Sequence, residues 1–315
     1  VEVPGARYEN EPAAISPGPI GGHSWHAMSF SPLTGLAYIP TIHLAYTFTD
    51  EGVDLETWRS PLWRSSTGVS SRRTGSSRSD GVLGTLQAWD PVRQEQVWEV
   101  PLEGMWNAGT LATAGDLVFQ GRADGNLAAY DGANGEVLWT FDVGSGISAP
   151  PITYSVNGRQ YVALLVGWGG AMAGVGGPSE TAHGWSYGVH PRRLIAFSLS
   201  GDVLLPPSPP PMVPVPIPGP HFEVDAGLAQ QGAVEFGGVC SSCHGPRAVS
   251  SGMAPDLRAS GTTLSATAFE NVVRSGRRAS DGMPAYPELT DGQLTALRHY
   301  IRQQAELGIT RLDGR

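Results

Sequence analysis

The first two hundred positions are a succession of short apolar runs that alternate with polar residues and are punctuated by Gly and Pro. Such a pattern predicts many short strands joined by tight turns. Two of the runs are copies of one another. Leu86-Gln87-Ala88-Trp89-Asp90 is followed by Trp98, ten residues after Ala88, and Leu127-Ala128-Ala129-Tyr130-Asp131 by Trp139, ten residues after Ala129. The copies start 41 residues apart and share A-x-D-x-x-x-(G)-x-x-x-W, with Gln94 in the first where the second has Gly135. A period near 40, with about four short strands per unit, is the signature of a β-propeller blade. Each copy predicts a strand, a turn led by Asp and Gly, and a second strand whose Trp packs on the next blade. Leu194-Ile195-Ala196-Phe197-Ser198 begins a third, degenerate copy that runs into proline before a Trp appears. Gly115-Asp116, Asp124-Gly125 and Asn157-Gly158 predict two-residue hairpin turns. The run from Tyr161 to Val166 predicts a buried strand.

The pattern changes after the proline-dense stretch from Val203 to Pro220, which cannot pair as a central strand and predicts an extended, semi-rigid spacer. Beyond it, 226–237, 266–275 and 291–305 have helical spacing, and Thr290 or Asp291 can cap the last. The expected organisation is a propeller portion over 1–202, a linker over 203–220 and an all-α domain over 221–315. Residues 54–80 carry Arg59, Arg64, Arg72, Arg73 and Arg78 among Ser and Gly. They predict a long solvated surface insertion rather than an anion site.

Composition narrows the partners. The 42 Gly and 26 Pro, with 16% charged residues, suit a turn-rich chain. A net charge of −9 argues against nucleic acid and against an anionic membrane surface. The uncharged run 161–178 is broken by glycines at 167, 169, 170, 174, 176 and 177. It reads as a strand followed by a turn, not a transmembrane segment. No helical pattern with a downstream acid follows it, which excludes a dinucleotide-binding loop.

The chemistry concentrates at Cys240-Ser241-Ser242-Cys243-His244. C-x-x-C-H is the attachment signature of a c-type haem: two thiols add to the vinyl groups and the adjacent imidazole ligates iron. Met283, in Gly282-Met283-Pro284-Ala285-Tyr286, is the candidate sixth ligand, and a Met/His pair suits electron transfer. A structural zinc site would need a second Cys/His pair, and the chain has only these two Cys. A thioredoxin-like motif would need a βαβ context that the pattern lacks. His23 and His26 are spaced as a metal pair, but no third ligand follows; His183 and His190 read as loop residues.

A longer combination carries a resemblance. Gly21-Gly22-His23-Ser24-Trp25-His26-Ala27-Met28-Ser29-Phe30-Ser31-Pro32, Thr34 to Pro40, Trp106 to Thr113, Leu117 to Gly121, Ile147 to Gly170 and the proline-rich bridge all contribute. Together the chain resembles the C-terminal part of quinohaemoprotein alcohol dehydrogenases of type II, along essentially its whole length. The resemblance implies a mainly β fold, the last blades of an eight-bladed propeller followed by an all-α cytochrome c domain. It implies pyrroloquinoline quinone (PQQ) and Ca²⁺ on the propeller axis, beside the covalent haem c. It places Ser24, Trp25, Trp106, Asn107 and Ala108 in the quinone pocket. Ser24 stands where the family often has Asn, and Ala27 where Pro is common.

In that family the catalytic Asp, the calcium ligands, the Lys or Arg beside the quinone and a vicinal disulfide precede the matching segment. The catalytic residues are therefore expected upstream of Val1. The chain opens with neither an initiator Met nor a signal peptide, and a processed product or a piece of something longer is expected. The implied partners are an alcohol, the N-terminal half of the propeller and an external acceptor: a cytochrome, a cupredoxin or a quinone-linked oxidase. The implied compartment is the periplasm. The rival readings are a non-enzymatic propeller–cytochrome that carries electrons or acts as a scaffold, and a propeller nitrite reductase, whose usual domain order is the reverse of this one.

Overall fold

A computed structural model describes residues 6–8, 11–51, 53–54, 56–58, 69–168, 192–207, 214–250 and 252–313. Arg59, Arg64, His183, His190 and most of the glycine-rich turn after position 168 lie outside these residues.

Two four-stranded antiparallel blades form the body of the β portion. The first runs β2 (Ser29–Ser31), β3 (Leu36–Ile42), β6 (Gly84–Asp90) and β7 (Glu95–Leu102) in that order. The second runs β8 (Thr110–Ala112), β9 (Leu117–Gly121), β10 (Asn126–Asp131) and β11 (Val137–Asp142). The repeated sequence produces repeated backbone. Register slips between Ala88 and Trp89 in one blade and between Ala129 and Tyr130 in the other. The turn residues Gln94 (φ 58°) and Gly135 (φ 78°) both adopt the left-handed conformation. Apolar residues of both blades, among them Tyr38, Leu86, Trp98, Val118 and Tyr130, share one buried cluster.

Trp98 seals that cluster. Its Nε1 donates to the Gly132 carbonyl at 3.1 Å, and the Tyr38 hydroxyl donates to the same carbonyl at 3.0 Å. The ring lies so close to Gly135 that a Cβ there would come within 2.7 Å of it. Among the described residues a third sheet holds β12 (Ile152–Val156), β13 (Arg159–Val166) and β14 (Arg193–Phe197). Asn157 (φ 51°) and Gly158 (φ 76°) make the hairpin between its first two, as their sequence predicts. Trp139, the counterpart of Trp98, stays 40% exposed and meets Phe197 edge-on at 5.5 Å.

The insertion is more ordered than its sequence suggests. β1 (Ala13–Ile15), β4 (Leu44–Thr49) and β5 (Ser70–Ser76) form a separate sheet in the order β1-β4-β5. The expectation of a solvated loop over 54–80 is corrected for residues 70–78. Arg72 and Arg73 pair across the sheet with Thr47 and Tyr46, and Arg78 forms ion pairs with Asp80 (2.7 Å) and Glu99 (2.9 Å).

The helical domain holds α1 (Ala226–Val239), the single turn α2 (Ser241–His244), α3 (Ala266–Val273) and α4 (Asp291–Asp313). Asp225 caps α1 through Leu228 N–H at 2.8 Å. Thr290 and Gln293 form a reciprocal capping box at the start of α4. The two long helices cross at Gly232, where any Cβ would run into the Ala296 carbonyl. Phe236, Phe269, Leu297 and Ile301 fill the core around them.

The proline-rich segment is anchored at both ends. Leu205 packs against the cluster of Leu164 and Ile195, and Arg193 donates to the Pro206 carbonyl at 2.7 Å. Ile217 N–H donates to the Arg258 carbonyl at 2.9 Å, and its own carbonyl accepts from Arg302 Nη2 at 2.7 Å. Arg302 is fully buried, and desolvation lowers its pKa.

Candidate cofactor sites

α1 delivers the cysteines. The Cys240 N–H closes on the Phe236 carbonyl at 2.9 Å, and the next turn carries Cys243 and His244 round the helix end. Met283 lies on a turn in which its N–H and that of Asp281 both donate to the Arg278 carbonyl, at 3.1 and 3.0 Å. Cys240, Cys243, His244 and Met283 all line one cleft of about 480 Å³. Both cysteines are free thiols. Burial pushes the Cys240 thiol up to about 12, so it rests protonated at neutral pH.

His244 is aimed by its surroundings. Its Nδ1 lies 2.8 Å from the Pro255 carbonyl, and a carbonyl only accepts, so Nδ1 carries the proton and Nε2 offers its lone pair. Burial lowers the imidazole's pKa and keeps the ring neutral. The loop bearing Pro255 is pinned by Asp256, which accepts from Ser250 N–H at 3.1 Å and pairs with Arg258 at 2.8 Å. Two thiols, a neutral imidazole and a thioether in an apolar cleft fit a c-type haem with His and Met on the iron. Among the described residues no cluster of three or more His, Cys, Asp or Glu could hold a metal ion, His23 and His26 included.

The residues assigned to a quinone pocket divide into two groups. The loops before β2 and β8, the first strands of their blades, touch: Thr110 N–H donates to the Ala27 carbonyl at 2.8 Å. Trp25, 56% exposed, stacks on His26 at 4.2 Å, and His26 lies 5.4 Å from the buried Trp106. Ser24 is half-buried beside them. Asn107 and Ala108 serve the loop itself. Asn107 donates to the Glu103 carbonyl at 3.2 Å and accepts from Ala123 N–H at 3.0 Å, and the Ala108 carbonyl accepts from Gln120 at 2.9 Å.

His26 escaped the sequence reading except as half of a metal pair. Both of its ring nitrogens, and Trp106 Nε1, are buried without a partner among the described residues. Burial lowers its pKa to about 4, so the ring is neutral. An exposed indole face beside unmet ring nitrogens fits a planar, acceptor-rich quinone. Only folding brings position 26 between two indoles that lie 81 residues apart.

With this geometry in place, the matches to known proteins are specific. Residues 4–162 match the family model described as glucose/ethanol/alcohol dehydrogenase, beta-propeller domain. The chain belongs to this propeller family. Residues 227–301 match the model for the cbb3-type cytochrome c oxidase subunit III. A family relative, quinohemoprotein alcohol dehydrogenase ADH IIB of Pseudomonas putida, is 40% identical over 96% of the chain and 43% of its own length. The solved structure of ADHIIG from P. putida HK5 superposes with a TM-score of 0.77 at 34% identity, covering 95% of this chain and 43% of that one. The quinohemoprotein alcohol dehydrogenase of Comamonas testosteroni gives 0.75 at 31% identity, over 98% of this chain and 44% of that one. The chain thus spans about two fifths of the length of these relatives. No helix among the described residues is long and apolar enough to cross a membrane.

Proposed function

We propose that this chain forms the C-terminal blades and the electron exit of a PQQ-dependent quinohaemoprotein alcohol dehydrogenase. The observation that carries the reading is the cleft where Cys240, Cys243, His244 and Met283 meet, on a chain of the propeller family. When bound, PQQ takes two electrons from an alcohol, and a c-type haem passes them on singly. This chain's residues bind and orient. Cys240 and Cys243 would tether a porphyrin, His244 and Met283 would ligate its iron, and Pro255 keeps the His244 proton on Nδ1. Trp25 offers the quinone an aromatic face, Ser24 and Trp106 offer donors, and Asn107 and Ala108 hold the loop in place. The resemblance assigns the Ca²⁺ ligands to the remaining blades.

Among the described residues the third sheet has three strands where its neighbours have four, and Ile152, Leu165 and Leu194 are exposed. An N-terminal half of the propeller is the partner that completes the ring and protects such edges. The substrate is an alcohol, the acceptor a cytochrome, cupredoxin or quinone-linked oxidase, and the compartment the periplasm, where c-type haem is attached.

Maturation in a periplasm is expected to give haem that acid–acetone does not extract. Met283→Ala is expected to open the sixth position and lower the reduction potential. The isolated chain, given PQQ and Ca²⁺, is expected to show no dye-linked alcohol oxidation until the missing blades are supplied. Extractable haem would refute the tether, and robust turnover by the isolated chain would place the catalytic base within it.

A further inference from the structure

The turn that presents Met283 also presents a charge pair. Arg278 Nη1 lies 3.0 Å from Asp281 Oδ2, with side chains 63% and 58% exposed. Gly282, at φ 92°, closes the turn, and the Arg278 carbonyl gathers the amides of Asp281 and Met283. Guanidinium, carboxylate and thioether therefore share one rim of the cleft. Among the lining residues Arg278 is the one fixed cation and Asp281 the one carboxylate; the rest is apolar or hydroxyl-bearing, apart from the neutral His244. A haem seated there brings two propionates into a lining that carries no net positive charge. One guanidinium then faces three carboxylates.

Resting on the haem reading above, we infer that Arg278 binds a haem propionate and that Asp281, its ion-pair partner, competes for it, so that the pair tunes the haem potential. An exposed Arg–carboxylate pair is weak, and rearranging it costs little. Guanidinium has five donors in a planar fork and can keep Asp281 while taking a second carboxylate. A positive charge held at the propionate edge stabilises the reduced haem, and an uncompensated carboxylate stabilises the oxidised one. Neither residue ligates iron; they act through its surroundings.

The test is a redox titration of the haem-loaded chain with Arg278→Gln, Arg278→Lys and Asp281→Asn, alongside resonance Raman of the propionate bending mode. Arg278→Gln is expected to lower the midpoint potential and shift the propionate mode. Arg278→Lys should restore most of the potential, and Asp281→Asn should raise it. A wild-type potential and an unmoved propionate mode in Arg278→Gln would overturn the inference while leaving the haem site intact. If that variant does not mature, the remaining two decide: no rise with Asp281→Asn and no shift of the propionate mode with Arg278→Lys overturns it. Absence of covalent haem from the wild type would instead overturn the parent reading.

Discussion

Trp98 and Trp139 occupy the same place in two copies of one repeat, yet only Trp98 is docked. Trp98 is 9% exposed and bonded to the Gly132 carbonyl, with Gly135 beneath its ring. Trp139 is 40% exposed and leans on the edge of Phe197. The difference lies in the acceptor, not in the Trp. Aligning Leu194 with Leu127 puts Leu199 where the second blade has Gly132 and Asp202 where it has Gly135. Leu199 is fully exposed and the flat seat is missing. An inter-blade Trp is thus half of a joint, and the receiving turn of the following blade decides whether it closes.

Four substitutions test that contrast, read as urea midpoints of the far-UV signal in the haem-loaded chain. Trp98→Ala removes a buried indole and its hydrogen bond and is expected to destabilise by about 3–5 kcal/mol. Gly135→Ala leaves the Trp but spoils its seat, through a Cβ 2.7 Å from the ring and a φ of 78°. The expected cost is about 1–3 kcal/mol. Trp139→Ala should cost no more than about 1 kcal/mol, because its ring is already wet. A loss as large as that of Trp98→Ala would mean that the acceptor turn is irrelevant. Gln94→Gly should gain roughly 0.5 kcal/mol, since Gln94 holds the left-handed conformation that suits glycine. A loss there would show that the first turn differs from the second in more than residue type.

What the sequence disclosed follows the range of the interactions involved. The 41-residue repeat, the Asn157-Gly158 hairpin and the helices at 226–239, 266–273 and 291–313 were legible because turns, caps and periodic faces are local signals. The haem cleft was legible because C-x-x-C-H places three groups within one helical turn. β5 was hidden. It is an edge strand held by backbone pairing to β4, and Ser70–Ser76 lacks the apolar alternation that a buried face imposes. The environment of His26 was hidden as well, because Trp106 becomes its neighbour only on folding.

The double anchoring of the proline-rich segment has a kinetic consequence. Pro206 is fixed to the blades and Ile217 to α4 through the buried Arg302, and only ten residues lie between them. Fully extended, that span reaches at most about 40 Å. The helical domain is confined to a volume in which its effective concentration beside the blades is millimolar. Encounter between the two halves is therefore unimolecular and independent of protein concentration, and diffusion governs only the meeting with outside molecules.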